Sequence, residues 1–346
     1  MITQPLKKPQ RRCWQTALSL AITDPVHLLE RLHLSPQAIA YCSKQAFGLR
    51  VPLEFVAKMQ LHNPNDPLLL QVLPHQLENQ ATPGFNLDPL QERQQNPMPG
   101  LLHKFASRVL LVVSQACAVH CRYCFRRYFP YEDNNPSLKD WEHSLKYIAA
   151  DPNIKEVIFS GGDPLSAPDR YLTKLVERIA EIEHVKIIRI HTRLPVMIPQ
   201  RICPELLSWC TKTRLKIIMV LHINHPQELC TALKTQVAQL CAQQILVLNQ
   251  SVLLKNINDC SQILSELSWK LFDANILPYY LHLLDPVQGS AHFGVATKEV
   301  QPLLQQLMTD LPGYLVPKVV REIPGAPYKV PACLSCTQAL ELPTLT

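Results

Sequence analysis

The stretch that decides the fold is Cys117-Ala-Val-His-Cys121-Arg-Tyr-Cys124, in which three cysteines follow the spacing C-x₃-C-x₂-C. Three thiolates are too few for a tetrathiolate metal site, but they suit a [4Fe–4S] cluster in which one iron keeps an open position. A zinc site that borrows a fourth ligand, or three buried thiols, are the alternatives. Structural zinc normally shows a second pair of ligands at matching spacing, and none follows here, so the spacing favours iron and sulfur.

Length and composition indicate a globular chain. It has 346 residues, of which 47% are hydrophobic and 18% charged, enough for one large domain with smaller appendages. No run of about 18 apolar residues could span a membrane, and no signal-peptide hydrophobic region stands near its start. We therefore expect a cytoplasmic protein whose 12 cysteines stay reduced. Neither a membrane nor a nucleic acid is an expected partner, because no nucleic-acid-binding signature occurs.

Residues 1–95 predict a helical, proline-rich N-terminal region. Several of its candidate helices begin with a proline at the first helical position, where the missing N–H is tolerated. From Pro64 to Pro99 the chain lacks periodicity, which predicts an extended loop. The candidate helices are Trp14–Leu20, Pro25–Leu32, Pro36–Phe47 and Pro52–Lys58.

Residues 96–290 alternate short β-branched runs with segments of helical periodicity. This alternation is typical of a parallel sheet with helices on its outer face, and six such units predict an α/β fold with a partial (β/α)₆ barrel. The predicted strands are Val109–Ser114, Glu156–Ser160, Lys186–Thr192, Lys216–His222, Ile245–Asn249 and Pro278–Leu284. The predicted helices are Leu138–Ala150, Asp169–Glu183, Pro204–Thr211, Gln227–Gln243 and Cys260–Ala274.

Polar residues follow each predicted strand, at the edge where barrels of parallel strands carry their active sites. Ordinary turns after strands also use polar residues, so the whole set is stronger evidence for an active site than any single member. The chain has only nine glycines, and two of them, Gly161 and Gly162, follow the second strand. They indicate either a backbone that approaches a ligand closely or a simple tight turn. The polar groups are Cys117–Cys124, Gly161–Pro164, His191–Arg193, His222, Asn249–Ser251 and Asp285.

From about Pro99 to Lys329 the motifs together resemble the lysine 2,3-aminomutase family of radical S-adenosylmethionine (SAM) enzymes. Several of these motifs are specific to that family. They are Cys117–Cys124 with Phe125–Arg127, Ser160–Asp163, Arg193–Ile202, His222–Pro226, Asn249–Leu254 and Pro278–Tyr280. The resemblance implies a radical SAM barrel and an isomerase that uses a [4Fe–4S] cluster, SAM and pyridoxal 5′-phosphate (PLP).

The resemblance also implies roles for individual residues at the cofactors. Lys329, in the C-terminal segment 291–346, stands where the family has its PLP lysine and is the implied catalytic residue. Lys104 and Arg108 stand where the family has arginines near the PLP phosphate, and Lys104 departs from that pattern because a lysine lacks the planar fork. The implied cluster ligands are Cys117, Cys121 and Cys124, and the residues implied at SAM are Gly161, Gly162, Asp163, His222 and Gln250.

The implied substrate is L-lysine, which carries charge at both ends. Arg126 matches the family's partner for the lysine carboxylate, and Asp285 matches an acid that binds the ε-ammonium group. Glu322 stands where the family has a second acid, an aspartate. Its extra methylene changes its reach, which puts the affinity for free lysine in question.

Three further cysteines match a zinc site only in part. Cys260 corresponds to one zinc ligand of the family's catabolic members, and Cys333 and Cys336 form a C-x₂-C pair. The three thiols form a reduced zinc site if another residue completes it, and otherwise they are unligated.

The short C-terminus, the proline-rich N-terminal region and Glu322 resemble the bacterial branch that makes (R)-β-lysine for attachment to elongation factor P. The resemblance therefore implies isomerisation of L-α-lysine to (R)-β-lysine, with a functional link to a lysyl-tRNA-synthetase-like ligase and elongation factor P. Two alternatives stay open: the same chemistry serving lysine catabolism or osmolyte synthesis, and a non-catalytic iron–sulfur or zinc binding module. A homodimer is compatible with the sequence.

Overall fold

Strands and helices alternate along the chain, and the strands pair in the order in which they occur. The computed structural model describes residues 13–42, 47–134 and 141–332. Its strands are β1 (Leu101–Phe105), β2 (Arg108–Ser114), β3 (Glu156–Gly161), β4 (Ile187–Thr192), β5 (Lys216–His222), β6 (Leu246–Val252), β7 (Leu277–His282), β8 (Lys318–Arg321) and β9 (Val330–Pro331). In these residues they form a nine-stranded sheet in the order β1 to β9. Pairing is parallel from β2 to β8 and antiparallel at the two ends.

The longer helices lie between parallel strands and pack on one face of the sheet. Their buried residues recur at helical spacing, and most of them join the buried strand residues in the main apolar core, whereas those of the last long helix, over residues 297–310, form a second cluster with Leu253 and Leu281. The helices are α1 (Trp14–Ser19), α2 (Pro25–Arg31), α3 (Leu53–Val56), α4 (Pro67–Leu70), α5 (Trp141–Ala150), α6 (Asp169–Ala180), α7 (Leu194–Met197), α8 (Pro204–Thr211), α9 (Thr231–Ala242), α10 (Ser261–Asp273) and α11 (Thr297–Asp310).

The predicted α/β partial barrel is confirmed. The six predicted strands are β2 to β7, with ends that differ by a few residues. Strands β1 and β9 lie at opposite edges of the sheet, so within the described residues the barrel is not closed. The sequence did not indicate β8, because four residues are too short a run to show alternation.

Two predictions in the N-terminal region are wrong. The predicted helix Pro36–Phe47 is a 3₁₀ turn over Pro36–Ala38, after which Tyr41 pairs with His75 as a β-bridge. Backbone hydrogen bonds to distant residues replace the local helical ones there, and residues 43–46 lie outside the described chain. The predicted loop from Pro64 to Pro99 contains α4, which Asp66 caps by accepting from two backbone N–H groups.

The N-terminal region packs against the barrel. Residues such as Leu28, Phe55 and Leu68 belong to the same apolar core as the barrel strands. A buried ion pair adds to this contact, because Glu78 accepts from Arg122 on the cysteine loop at 2.6 Å and 2.9 Å.

Within the described residues no helix is long and apolar enough to cross a membrane.

Candidate active site

The inner face of the barrel carries polar side chains at alternating positions of two strands. On β4 these are Arg189 and His191, and on β7 they are Tyr280 and His282; their neighbours in the strands face the helices. Nε of Arg189 and Nε2 of His191 are buried and make no hydrogen bond to any described residue. Buried polar atoms normally have partners, so these two atoms indicate that the barrel interior is built to receive a polar ligand.

The same interior fits the predicted PLP. Nζ of Lys329 lies 5.9 Å from the centre of the Tyr280 ring. Burial and the neighbouring Tyr279 raise the pKa of Tyr280 to about 12, against the opposing positive charges of Arg189 and Arg108. Arg108 makes no ion pair with a described residue and stacks on Phe105. Arg189 donates from Nη2 to Glu156 at 2.7 Å, so Arg108 is the better suited of the two to hold a phosphate close to the amine of Lys329.

Five charged residues of alternating sign lie in a chain beside this interior. Arg126 pairs with Glu92 through two hydrogen bonds of 2.7 Å, and Lys104 lies 2.8 Å from the same carboxylate. Glu322 then joins Lys104 at 2.6 Å to Lys329 at 2.5 Å. The structure thus brings together four residues that the sequence predicted for PLP and substrate, and adds Glu92, which the sequence did not indicate.

The two acids predicted for the ε-ammonium group have opposite pKa shifts. Burial, together with the nearby charge of Glu322, raises the pKa of Asp285 to about 7. Burial also raises the pKa of Glu322, but the positive charges of Lys329 and Lys104 outweigh it and hold the pKa well below its ordinary value. At neutral pH Glu322 is therefore ionised, while Asp285 is partly protonated.

The cysteine loop follows β2, as predicted. Burial raises the pKa of Cys117, and the next contributions come from Cys124, Asp163 and Cys121, so the three thiols lie near one another. Arg193 donates from Nη1 to Sγ of Cys121 at 2.8 Å. Among the described residues no group of three His, Cys, Asp or Glu side chains could hold a single metal ion. A cuboidal cluster instead spreads its thiolates over different irons, and half-buried, neighbouring thiols beside an arginine fit that requirement.

Gly161 and Gly162 approach the chain itself. Gly161 has φ +118°, and a Cβ atom there would lie 2.5 Å from the carbonyl oxygen of Ser114. At Gly162 a Cβ would lie 2.6 Å from the carbonyl oxygen of Gln115 and 2.7 Å from that of Ala116. The glycine pair therefore lets the end of β3 pack against the start of the cysteine loop, and a close approach of this backbone to a ligand stays a prediction.

The carboxylate of Asp163 is used within the protein. It accepts from Thr192 Oγ1 at 2.7 Å and from the backbone N–H groups of Arg193 and Leu194 at 2.8 Å. These bonds tie the loop after β3 to the loop after β4. Asp163 thus positions the glycine loop, and a direct contact with SAM stays a prediction.

His222 and Gln250, both predicted at SAM, are partners in the register of β5 and β6. Nε2 of His222 lies 2.8 Å from the hydroxyl of Tyr123, a residue within the cysteine loop. Burial and the charge of Arg193 lower the pKa of His222 far below its ordinary value, so the ring is neutral. The two side chains therefore lie on the same face of the sheet, with His222 beside the cysteine loop, and a contact of either with SAM stays a prediction.

Cys260 precedes α10 as a half-buried free thiol, and Cys333 and Cys336 lie outside the described residues. Of the other residues in the site, His191 was among the polar groups predicted at the strand ends, whereas Arg189 was missed although the sequence held a signal for it. Arg189 and His191 interrupt an otherwise apolar strand at i and i+2, a pattern that predicts one polar face. Glu92 had no such signal, because it stands among polar residues in a segment without periodicity.

Comparison with known proteins agrees with this geometry. Residues 111–210 match the Radical SAM superfamily. Three relatives are named L-lysine 2,3-aminomutase. The Escherichia coli protein is 46% identical over 96% of this chain and 98% of its own length, and the Haemophilus influenzae protein is 49% identical over 91% of this chain and 94% of its own length. The Clostridium subterminale protein is 34% identical over 85% of this chain and 71% of its own length. Relatives this similar over nearly the whole chain share its fold and its family. The chain belongs to the L-lysine 2,3-aminomutase family of radical SAM enzymes.

Proposed function

We propose that the protein isomerises L-α-lysine to (R)-β-lysine by moving the amino group from C2 to C3, with a [4Fe–4S] cluster, SAM and PLP as cofactors. The observation that carries the proposal is the chain from Arg126 through Glu92, Lys104 and Glu322 to Lys329. It offers a guanidinium group for a carboxylate at one end and a carboxylate beside the PLP lysine at the other. Such a site suits a long substrate with opposite charges at its ends.

The cofactors supply the difficult chemistry: the cluster with SAM supplies a carbon radical that removes and returns hydrogen, and PLP supplies a π-system that stabilises the substrate radical. The protein's residues bind and orient. Arg126 holds the carboxylate of lysine, and Asp285 and Glu322 hold its ε-ammonium group. Glu322 contacts Lys329 at 2.5 Å and Lys104 at 2.6 Å, and these two cations would keep its carboxylate ionised for the ammonium group of the substrate.

The N-terminal region helps to cover the site on one side. Asn86 pairs with Val287 in the segment that follows β7, and its N–H donates to the carbonyl oxygen of Pro286 at 3.0 Å. This contact lies directly beside Asp285. A covered site protects a radical from solvent and strengthens the electrostatic interactions within it.

The proposal includes the fate of the product, which is attachment of (R)-β-lysine to elongation factor P by a lysyl-tRNA-synthetase-like ligase. Glu322 in place of an aspartate and the proline-rich N-terminal region, two features in which the sequence resembles that bacterial branch, support it. Deleting the gene for this protein should remove the mass of the added β-lysine from elongation factor P. If elongation factor P keeps its mass while lysine catabolism or β-lysine accumulation is lost, the product serves metabolism instead.

The decisive experiment is anaerobic incubation of the reconstituted protein with SAM, PLP, dithionite and lysine, with separation of the products by chromatography. We expect β-lysine from the wild type. Lys329→Ala should abolish β-lysine while keeping the iron–sulfur absorbance, and Cys121→Ala should lose both. Lys318→Ala is the matched control, because Lys318 is an exposed lysine on β8.

Two results would contradict the proposal. Normal β-lysine formation by Lys329→Ala would show that another residue serves PLP. A wild type that holds the cluster but forms no 5′-deoxyadenosine from SAM would favour a binding module without catalysis.

A further inference from the structure

Glu92 is a buried acid in the N-terminal region with three strong contacts to two cations. It begins a 3₁₀ turn over Glu92–Gln95, and its side chain is 2% exposed. Oε2 accepts from Nε of Arg126 at 2.7 Å, and Oε1 accepts from Nη2 of Arg126 at 2.7 Å. Nζ of Lys104 lies 2.8 Å from the same Oε1. One oxygen of Glu92 therefore joins the two cations.

The charge of Glu92 is what allows these cations to lie together. Burial raises the pKa of Glu92, but the positive charges of Arg126 and Lys104 outweigh it and lower the pKa overall, so the carboxylate is ionised. Without that negative charge the guanidinium and ammonium groups would repel each other in a poorly hydrated site. Removal of Glu92 should therefore free Arg126 to turn away from Lys104.

The contacts also fix which part of Arg126 faces the barrel. A guanidinium group has five N–H donors. Glu92 takes the edge formed by Nε and Nη2, and the hydroxyl of Ser160 accepts from Nη1 at 2.9 Å. Among the described residues these contacts engage three donors, which leaves one on each terminal nitrogen. One donor on each of the two terminal nitrogens can bind a carboxylate through both of its oxygens.

We propose that Glu92 is a positioning residue for the substrate carboxylate: it orients Arg126 so that the two remaining donors bind the carboxylate of an α-amino acid. This inference rests on the proposed function, in which Arg126 binds that carboxylate. Glu92 acts through Arg126 and does not touch the substrate. The N-terminal region thereby takes part in recognition of the substrate.

The test compares L-lysine with L-lysinamide, in which a neutral amide replaces the carboxylate. Dissociation constants of both are measured from the absorbance of the PLP-loaded protein without SAM, and KM and kcat for lysine are measured in the complete reaction. In Glu92→Gln we expect lysine to bind roughly 10- to 100-fold more weakly, with little change for lysinamide. KM should rise more than kcat falls. Glu142→Gln is the matched control, because Glu142 pairs with Arg178 on the outer surface.

A double variant tests whether Glu92 acts through Arg126. Arg126→Gln should remove the preference for lysine over lysinamide, and Glu92→Gln added to it should change that preference no further. Glu92→Asp, which keeps the charge at shorter reach, should restore part of the preference and serves as the test if Glu92→Gln does not fold.

Three outcomes have distinct meanings. If Glu92→Gln keeps the wild-type preference for lysine, the role of Glu92 is wrong. If the loss is equally large in the Arg126→Gln background, Glu92 does not act through Arg126 and the inference is also wrong. If the wild type forms no β-lysine, it is the proposed function that fails.

Discussion

Asp285 and Glu322 are two carboxyl groups that the same surroundings affect in opposite ways. Both are shielded from water, which by itself disfavours ionisation. Lys104 and Lys329 contact Glu322 directly and keep it ionised, and the charge of Glu322 then adds to the raised pKa of Asp285, about 7. Asp285 is therefore the group in this site whose charge changes near neutral pH.

The first prediction concerns the pH dependence of lysine binding. Below about pH 7 Asp285 is mostly protonated and pairs weakly with an ammonium group, and above that pH it is ionised. KM for lysine should therefore fall as pH rises through this range. Glu322→Gln removes a negative neighbour, lowers the pKa of Asp285 and should move the inflection to lower pH. The measurement is KM against pH for both proteins, and an inflection at the same pH in both would contradict the assignment.

Single residues differ in how far the sequence could predict them. Lys104, Glu322 and Lys329 are far apart in sequence and were predicted from a family resemblance, and the structure joins them in one row of contacts. Glu92 could not be predicted from local pattern, because its importance comes from burial between Arg126 and Lys104. Neither burial nor pairing of that kind leaves a periodic signal in the chain.

At the scale of elements, the cysteine loop and the glycine pair form one unit. The backbone of the loop lies against both glycines, so its course depends on the absence of side chains there. The N–H of Gly162 donates to the carbonyl oxygen of Ser114 at 2.7 Å, and that of Asp163 to the oxygen of Ala116 at 2.8 Å. The end of β3 therefore sets the position from which Cys117 begins the loop.

A second prediction follows for Gly162→Ala. The new Cβ would lie 2.6 Å from the carbonyl oxygen of Gln115, so the cysteine loop must shift. We expect less iron per chain after anaerobic reconstitution and a weaker cluster absorbance, while far-ultraviolet circular dichroism stays close to the wild type. Gly313→Ala is the control, because no atom lies within 4 Å of a Cβ at that position. Full iron loading of Gly162→Ala would contradict the proposed coupling.

The elements themselves were predictable in proportion to their regularity. The strands β2 to β7 alternate with amphipathic helices, and the fully buried strands are rich in β-branched residues, so local pattern and fold agree. The segment after Pro36 has helical composition, yet the N–H of Cys42 donates to the carbonyl oxygen of Pro74, and the carbonyl oxygen of Ala40 accepts from the N–H of Gln76. Such long-range pairing overrides a weak local propensity and cannot be seen in the sequence.

For the whole molecule, family membership confirms the predicted fold class and the predicted isomerase class. The boundaries 1–95, 96–290 and 291–346, a cytoplasmic location and a homodimer stay predictions. One apolar core includes Leu28 and Leu68 of the N-terminal region and Phe159 and Ile190 of the barrel. Regions that share a core are expected to unfold together rather than separately.

The last prediction tests that cooperativity through Glu78. Its carboxylate, 1% exposed, pairs with Arg122 and Arg127 of the barrel, whose side chains are 0% and 3% exposed. Glu78→Gln keeps the shape but leaves two buried cations without their acid, which should cost about 3–5 kcal/mol of unfolding free energy. Thermal unfolding followed by near- and far-ultraviolet circular dichroism should still give one transition, at lower temperature. Glu142→Gln, at an exposed ion pair, should change the midpoint little. Two separate transitions would contradict this expectation. They would show that residues 1–95 form an independent unit, which the loss of one buried acid uncouples from the barrel.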